Sequence, residues 1–358
     1  MTDMGLEYMI ENVQIPDSNM AVYIWGAGNT AVLAHQGMLR EDLYNELNIV
    51  GFIDSKKSGT SLNGLPVFGP EILNDKAPAS IFVLICTNNL WMLKEIDESL
   101  NKRGIPHELM DSVIIKVKYE KYQEVMSLLD SRSRDIYQRM LIKRMSLELI
   151  DEDLFGGESY FGIPEFCLSR PSDVMLDCGA YVGDSIERYI WRMEMYRRLV
   201  AIEPDRANFK ALCKRVERLR SEWNLDDDRI VPILAGVDEK TYNTNLETRV
   251  GGLGSIISES TDGTDSLPFW AIDDLVKEKG WDKEITYIKA DIESYEYRMI
   301  LGAKRTIKEC HPRMAICIYH NAVDMYSIPL LIHEIDPGYK FAVRHHSYSL
   351  AETVLYAY

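Results

Sequence analysis

The apolar run Val174-Met-Leu-Asp-Cys178 breaks into Gly179-Ala-Tyr-Val-Gly183, and a second apolar run, Leu199-Val-Ala-Ile202, ends on Glu203. A strand, a glycine loop, a helix and a second strand ending in an acid make a nucleotide-binding βαβ unit. The glycines let the backbone approach the ligand, and the acid takes the ribose hydroxyls. Gly179 and Glu203 stand about 24 positions apart, close to the roughly 20 expected. The loop is not G-x-G-x-x-G, and no Lys-Ser/Thr follows it, so the phosphates of NAD or ATP lack their usual cradle. Asp177 ahead of the glycines suits a cofactor with a positive centre and no phosphates, and S-adenosylmethionine (SAM) is that cofactor. Its expected contacts are Asp177, Gly179, Tyr181, Gly183, Asp184 and Glu203, with Asp291 further along the chain.

Further strands are predicted over 228–235, 285–291 and 313–320, and a closing strand pair over 339–344 and 353–358. Helical patterns such as 207–216 fill the gaps. This alternation predicts a parallel, doubly wound sheet that binds its ligand at the carboxyl ends of the strands.

The first third repeats the theme. Ala21-Val-Tyr-Ile-Trp25 breaks into Gly26-Ala-Gly-Asn-Thr-Ala31, and Ile49-Val-Gly-Phe-Ile53 ends on Asp54. The pieces Gly51-Phe-Ile-Asp54 and Leu65-Pro-Val-Phe-Gly69 resemble the small Rossmann-like domain at the front of some sugar-modifying enzymes. Three uses of this domain stay open: a scaffold or dimerisation role, a nucleotide or sugar-nucleotide site, and NAD(P) binding. Between the two halves, 116–150 carries apolar residues at helical spacing without Gly or Pro, a helical connector. The expected domains are therefore 1–115, 116–150 and 151–358. The glycine-rich stretch 251–263 is read as a long surface loop, or as a lid over the cofactor.

Several spaced motifs carry a more specific likeness: Asp177-Cys-Gly-Ala180, Glu203-Pro-Asp205, Ile288-Lys-Ala-Asp-Ile-Glu-Ser-Tyr-Glu296 with Leu301-Gly-Ala303, and Ile318-Tyr-His-Asn321. Together they resemble the FkbM family of SAM-dependent methyltransferases over roughly 155–358. Two departures stand out. Tyr181 occupies the middle glycine position of the general methyltransferase loop, and Ser294 replaces a usual glycine after the fourth strand. The resemblance implies an α/β fold with a class I (Rossmann-like) methyltransferase sheet, closed by a terminal antiparallel strand pair. The smaller Rossmann-like domain and the connector precede it.

Methyl transfer from a sulfonium is an in-line displacement that needs aligned reactants, and a hydroxyl acceptor also needs a general base. The ends of the fourth and fifth predicted strands carry Asp291, Glu293, His320, Asn321 and Asp324, and Arg344-His-His-Ser347 could close the same rim. His320 is the expected base, with Asp324 placed to hold its ring, and Asp291 the expected acid beside the methionine end of SAM. A divalent metal on Asp291, Glu293, Asn321 and Asp324 is the alternative use of these residues; the expected site has none. The leading function is O-methylation of a hydroxyl on a saccharide or other polyhydroxylated small molecule. The alternative is a non-enzymatic or regulatory protein binding nucleotide-type ligands with both Rossmann-like domains.

A formal net charge of −16 speaks against nucleic acid or an anionic membrane as partner. No apolar run reaches the length of a membrane span, no signal peptide opens the chain, and six cysteines lack CxxC spacing. The expectation is a cytoplasmic protein that could form a homo-oligomer through its first domain.

Overall fold

Short, mostly apolar runs set the central strands of both halves, and the longer stretches between them set the helices. The computed structural model describes residues 3–193, 195–248, 257–259 and 266–358. They form two compact units. One comprises Met1–Phe155, Tyr319–Ser327 and Ser347–Thr353, the other Gly156–Ile318, Ile328–His346 and Val354–Tyr358.

The first unit begins with α1 (Asp3–Asn12), β1 (Ala21–Trp25), α2 (Asn29–Arg40), α3 (Leu43–Glu46) and β2 (Ile49–Ile53). It continues through β3 (Ser61–Leu62), β4 (Leu65–Phe68), β5 (Ile81–Ile85), α4 (Leu90–Lys102) and β6 (His107–Leu109). Three helices follow: α5 (Met110–Val117), α6 (Tyr119–Leu128) and α7 (Ser131–Ser146). The strand order is β3-β4-β2-β1-β5-β6, parallel except for the β3–β4 pair. Tyr23, Ile53, Val83, Ile85 and Leu100 form part of its core. The helices α5–α7 belong to this unit, which also takes back two pieces of the C-terminal chain.

The second unit contains β7 (Val174–Cys178), α8 (Asp184–Arg192), β8 (Arg198–Glu203), α9 (Arg206–Trp223) and β9 (Ile230–Leu234). Then come β10 (Gly236–Val237), β11 (Tyr242–Thr248), β12 (Ile257–Glu259), β13 (Ser266–Trp270) and α10 (Ile272–Glu278). The last elements of the chain are β14 (Tyr287–Ala290), α11 (Glu296–Leu301), α12 (Lys304–Cys310), β15 (Arg313–Cys317), α13 (Ala322–Ile335), β16 (Phe341–His345) and β17 (Thr353–Ala357). Its main sheet runs β16-β17-β15-β14-β7-β8-β9. The five strands from β15 to β9 are mutually parallel, and β17 lies antiparallel to β15. The chain order therefore reverses between β7 and β14, which puts the ligand crevice of such a sheet at their carboxyl ends.

A second sheet, β10-β13-β11-β12, was not anticipated from the sequence. Of the glycine-rich stretch 251–263, only Ile257–Glu259 falls within the described residues; the rest of the expected loop or lid lies outside them. Among the described residues no helix is long and apolar enough to cross a membrane.

Candidate active site

The glycine loop follows β7, whose residues are all buried. Gly179 has φ +80°, and a Cβ added there would sit 2.0 Å from the Asp291 carbonyl oxygen. Only glycine lets the loop close against the chain leaving β14. The N–H groups of Gly179 and Ala180 both donate to the Ile202 carbonyl at 3.0 Å, tying the loop to β8. Gly183, at φ +83°, is the N-cap of α8. Tyr181 holds the middle of the loop at φ +48° with its residue 47% exposed. That left-handed backbone costs a non-glycine residue about 1–2 kcal/mol.

The Tyr181 N–H donates to Glu203 Oε2 at 2.8 Å. On the other oxygen, Glu203 Oε1 accepts from the Asp205 N–H at 2.9 Å and from Asn208 Nδ2 at 3.4 Å. The acid at the tip of β8 is thus 5% exposed and braced by backbone donors of its own strand end and of the glycine loop. Burial raises the Glu203 carboxyl above the ordinary glutamate range, and these three donors oppose the rise without cancelling it.

Asp177 and Lys289 are register partners on adjacent parallel strands, β7 and β14. Their side chains share one face and meet at 3.0 Å, both buried. Lys289 Nζ also donates to the Gly179 carbonyl at 2.8 Å. Burial alone would lower the Lys289 ammonium, but Asp177 and Asp291 beside it hold it above the usual lysine range.

Beyond β14 the chain turns sharply. Glu293 and Ser294 both adopt left-handed backbones, φ +54° and +73°. Glu296 Oε1 accepts the Ile292 N–H at 2.7 Å and closes the turn. Asp291 Oδ2 accepts from the Tyr160 hydroxyl at 3.0 Å, and the Tyr160 ring lies under the Lys289 ammonium at 5.0 Å.

Residues 177–341 match the family model described as the methyltransferase FkbM domain. Over these residues the chain is similar to FkbM methyltransferases. Among solved structures, the methyltransferase FkbM from Methylobacillus flagellatus KT is similar in fold, with a TM-score of 0.58 and 21% identity over 99% of both chains. Fibrillarin from Aeropyrum pernix, solved with natively bound S-adenosyl-L-methionine, has a TM-score of 0.32 and 15% identity over 53% of this chain and 70% of its own. No curated protein matches the chain.

Within the matched residues, the Ser294 departure leaves the backbone with the left-handed shape that glycine would adopt there, so the turn survives the substitution. Of the expected cofactor residues, Asp177, Gly179, Tyr181 and Glu203 join one bonded cluster with the β8 tip and the β14 register partner. Gly183 and Asp184 open α8 instead. Asp184 pairs with Arg188 at 3.4 Å and sits in the first helical turn, where a carboxylate is favoured.

His320 lies three residues past β15, in the segment 319–327 that belongs to the first unit, and is 7% exposed. In that unit Asp324 Oδ1 accepts from Arg40 Nη2 at 3.0 Å, and Oδ2 accepts from Asn321 Nδ2 at 2.5 Å. Asn321 Nδ2 also reaches the Leu33 carbonyl at 3.3 Å. The Arg40 guanidinium thus supplies positive charge where a divalent ion on Asp324 would have to sit. In the expected rim segment, His346 bridges the Gly157 carbonyl and the Tyr356 hydroxyl, both at 3.0 Å. Burial lowers its imidazole below the usual histidine range.

Sequence reasoning passed over Lys289 and Tyr160. Lys289 could have been found as a lone cation in the apolar run Tyr287–Ala290, because a buried charge needs a partner. Tyr160 carries no local signal.

The first unit has a parallel arrangement. Gly26, at φ +123°, leaves no room for a Cβ, which would sit 2.3 Å from the Cys86 carbonyl oxygen. The Ala27 N–H donates to Asp54 Oδ2 at 3.1 Å, and Lys57 Nζ caps the Ala27 carbonyl.

Proposed function

We propose that the FkbM domain binds SAM and transfers its methyl group to a hydroxyl of a saccharide or other small polyhydroxylated acceptor. The observation that carries this reading is Glu203: a buried carboxylate at the tip of the second strand, aligned by the N–H of the glycine loop itself. Each carboxylate oxygen offers two lone-pair sites, and Oε2 takes a single described bond. A ribose hydroxyl fits the remaining site, so the residues present suit the cofactor. Bound SAM supplies an activated methyl group to an in-line attack.

The protein's part is alignment and proton transfer. Gly179 allows the loop and the chain after β14 to close. Lys289 fixes both Asp177 and the Gly179 carbonyl. Asp291 attracts the ammonium at the methionine end. His320 is the proposed base: an imidazole nitrogen takes the acceptor hydroxyl proton, the role for which a side chain titrating near neutrality is suited. The reading needs no metal, and it places the protein in the cytoplasm. No disulfide joins the described cysteines, which suits a reducing compartment.

Calorimetric titration with SAM tests the reading. Glu203→Ala should weaken binding by about 1.5–3 kcal/mol for each charge-assisted bond lost. Unchanged affinity in that variant would remove Glu203 from the site. His320→Ala should cut turnover by about 10²–10⁴-fold while SAM affinity stays near the parent value. Loss of activity on chelation with EDTA, restored by Mg²⁺ or Mn²⁺, would favour the metal instead.

A further inference from the structure

Tyr160 belongs to none of the motifs, yet it touches two of the acids and cations that the cofactor reading depends on. It sits in the turn Glu158–Phe161, closed by the Phe161 N–H on the Glu158 carbonyl at 3.2 Å. There it occupies the third position with φ +67°, where such a turn normally takes glycine. Strain of this kind persists only where surrounding structure fixes it. Here the Tyr160 carbonyl accepts from the Tyr287 hydroxyl at 2.9 Å, and the residue is 5% exposed. From that fixed backbone the hydroxyl reaches Asp291 Oδ2 at 3.0 Å, and the ring faces Lys289 Nζ at 5.0 Å. Lys289 in turn holds Asp177 and the Gly179 carbonyl.

We propose that Tyr160 is a positioning residue of the FkbM domain, its hydroxyl fixing the Asp291 carboxylate toward the ammonium of the cofactor's amino-acid end while its ring steadies Lys289 beneath the glycine loop. The inference rests on the SAM reading above. It adds that a strained turn outside the 177–341 match controls recognition of one end of the ligand.

Tyr160→Phe keeps the ring and removes only the hydroxyl. The parent and this variant are titrated with two probes. S-adenosylhomocysteine carries the amino-acid end, and 5′-methylthioadenosine lacks it. Affinity of the variant for S-adenosylhomocysteine should fall about tenfold, the loss of one hydrogen bond to a charged group. Affinity for 5′-methylthioadenosine should stay within about twofold. A merely structural role would weaken both probes alike, and that result, or no change in either, overturns the proposal. In an Asp291→Asn background, adding Tyr160→Phe should cost nothing further; an additive loss would also overturn it. A parent protein that binds neither probe refutes the cofactor reading itself, an outcome distinct from the others.

Discussion

Burial lifts the Glu203 carboxyl above the ordinary glutamate range, ahead of what the Asp205, Tyr181 and Asn208 donors recover. Under the proposed reading, ribose hydroxyls donate to the ionised form, so SAM binding would require Glu203 deprotonated. Affinity should therefore fall as pH drops through that raised value, at a higher pH than an ordinary glutamate would give. Glu203→Gln should bind weakly with a flat profile over the same range; an equally steep profile in the variant would assign the titration elsewhere. In the free protein the sign is opposite. An acid raised in the folded state contributes stability at low pH, and that contribution is lost as pH rises through the folded value. Ser294 makes a second residue-scale test. It holds φ +73° where glycine is unstrained. Ser294→Gly should leave stability unchanged or raise it by up to about 1 kcal/mol, and Ser294→Val should lower it, read as shifts in thermal midpoint. The sequence showed that Ser294 departed from the family's glycine but not what the backbone would do, because a left-handed residue leaves no mark on hydrophobic periodicity.

Where strands meet, register decides which side chains interact. Lys289 and Asp177 are opposite one another because β14 and β7 pair in that register. Lys289→Met would leave Asp177 buried without its cation, and should destabilise the domain by about 3–5 kcal/mol in a denaturant titration. The two glycine loops allow a sharper comparison. Gly26→Ala puts a Cβ 2.3 Å from the Cys86 carbonyl and should destabilise the first unit, whereas a Cβ on Gly28 meets nothing within 4 Å and φ there is −85°. Gly28→Ala should then be neutral or stabilising by about 0.4–1 kcal/mol. Equal damage from both would contradict a close approach of the chain at Gly26 alone. The β7, β8, β14 and β15 strands were legible because each is a short apolar run between turn residues. The sheet β10-β13-β11-β12 was not, since Tyr242-Asn-Thr-Asn-Leu-Glu-Thr248 is mostly polar and reads as a loop. Glu203 and the glycine loop were legible from spacing alone, while the Tyr160 contact joins residues 131 positions apart and could be seen only once the chain was folded.

At the scale of the whole chain, residues 319–327 belong with the first 155. Tyr122 Oη donates to the Ala322 carbonyl at 2.8 Å, and Tyr137 Oη to the Met325 carbonyl at 2.9 Å. Arg144 reaches the Tyr319 carbonyl at 2.5 Å, and Arg40 pairs with the buried Asp324. Periodicity could mark where strands and helices begin, but not that a late segment returns to an early unit. A fragment of 156–358 would keep the family motifs and lose every one of these partners. It should aggregate or show a markedly lower thermal midpoint than the full chain; a monomeric fragment with the full chain's melting temperature and SAM affinity would contradict this. The same return has a consequence during synthesis. The ribosome finishes Phe155 well before Tyr319 emerges, an interval of roughly 10–30 s at typical elongation rates. Through that interval residues 1–155 must wait, with the surface meant for 319–327 uncovered, for a strip of chain made more than 160 residues later.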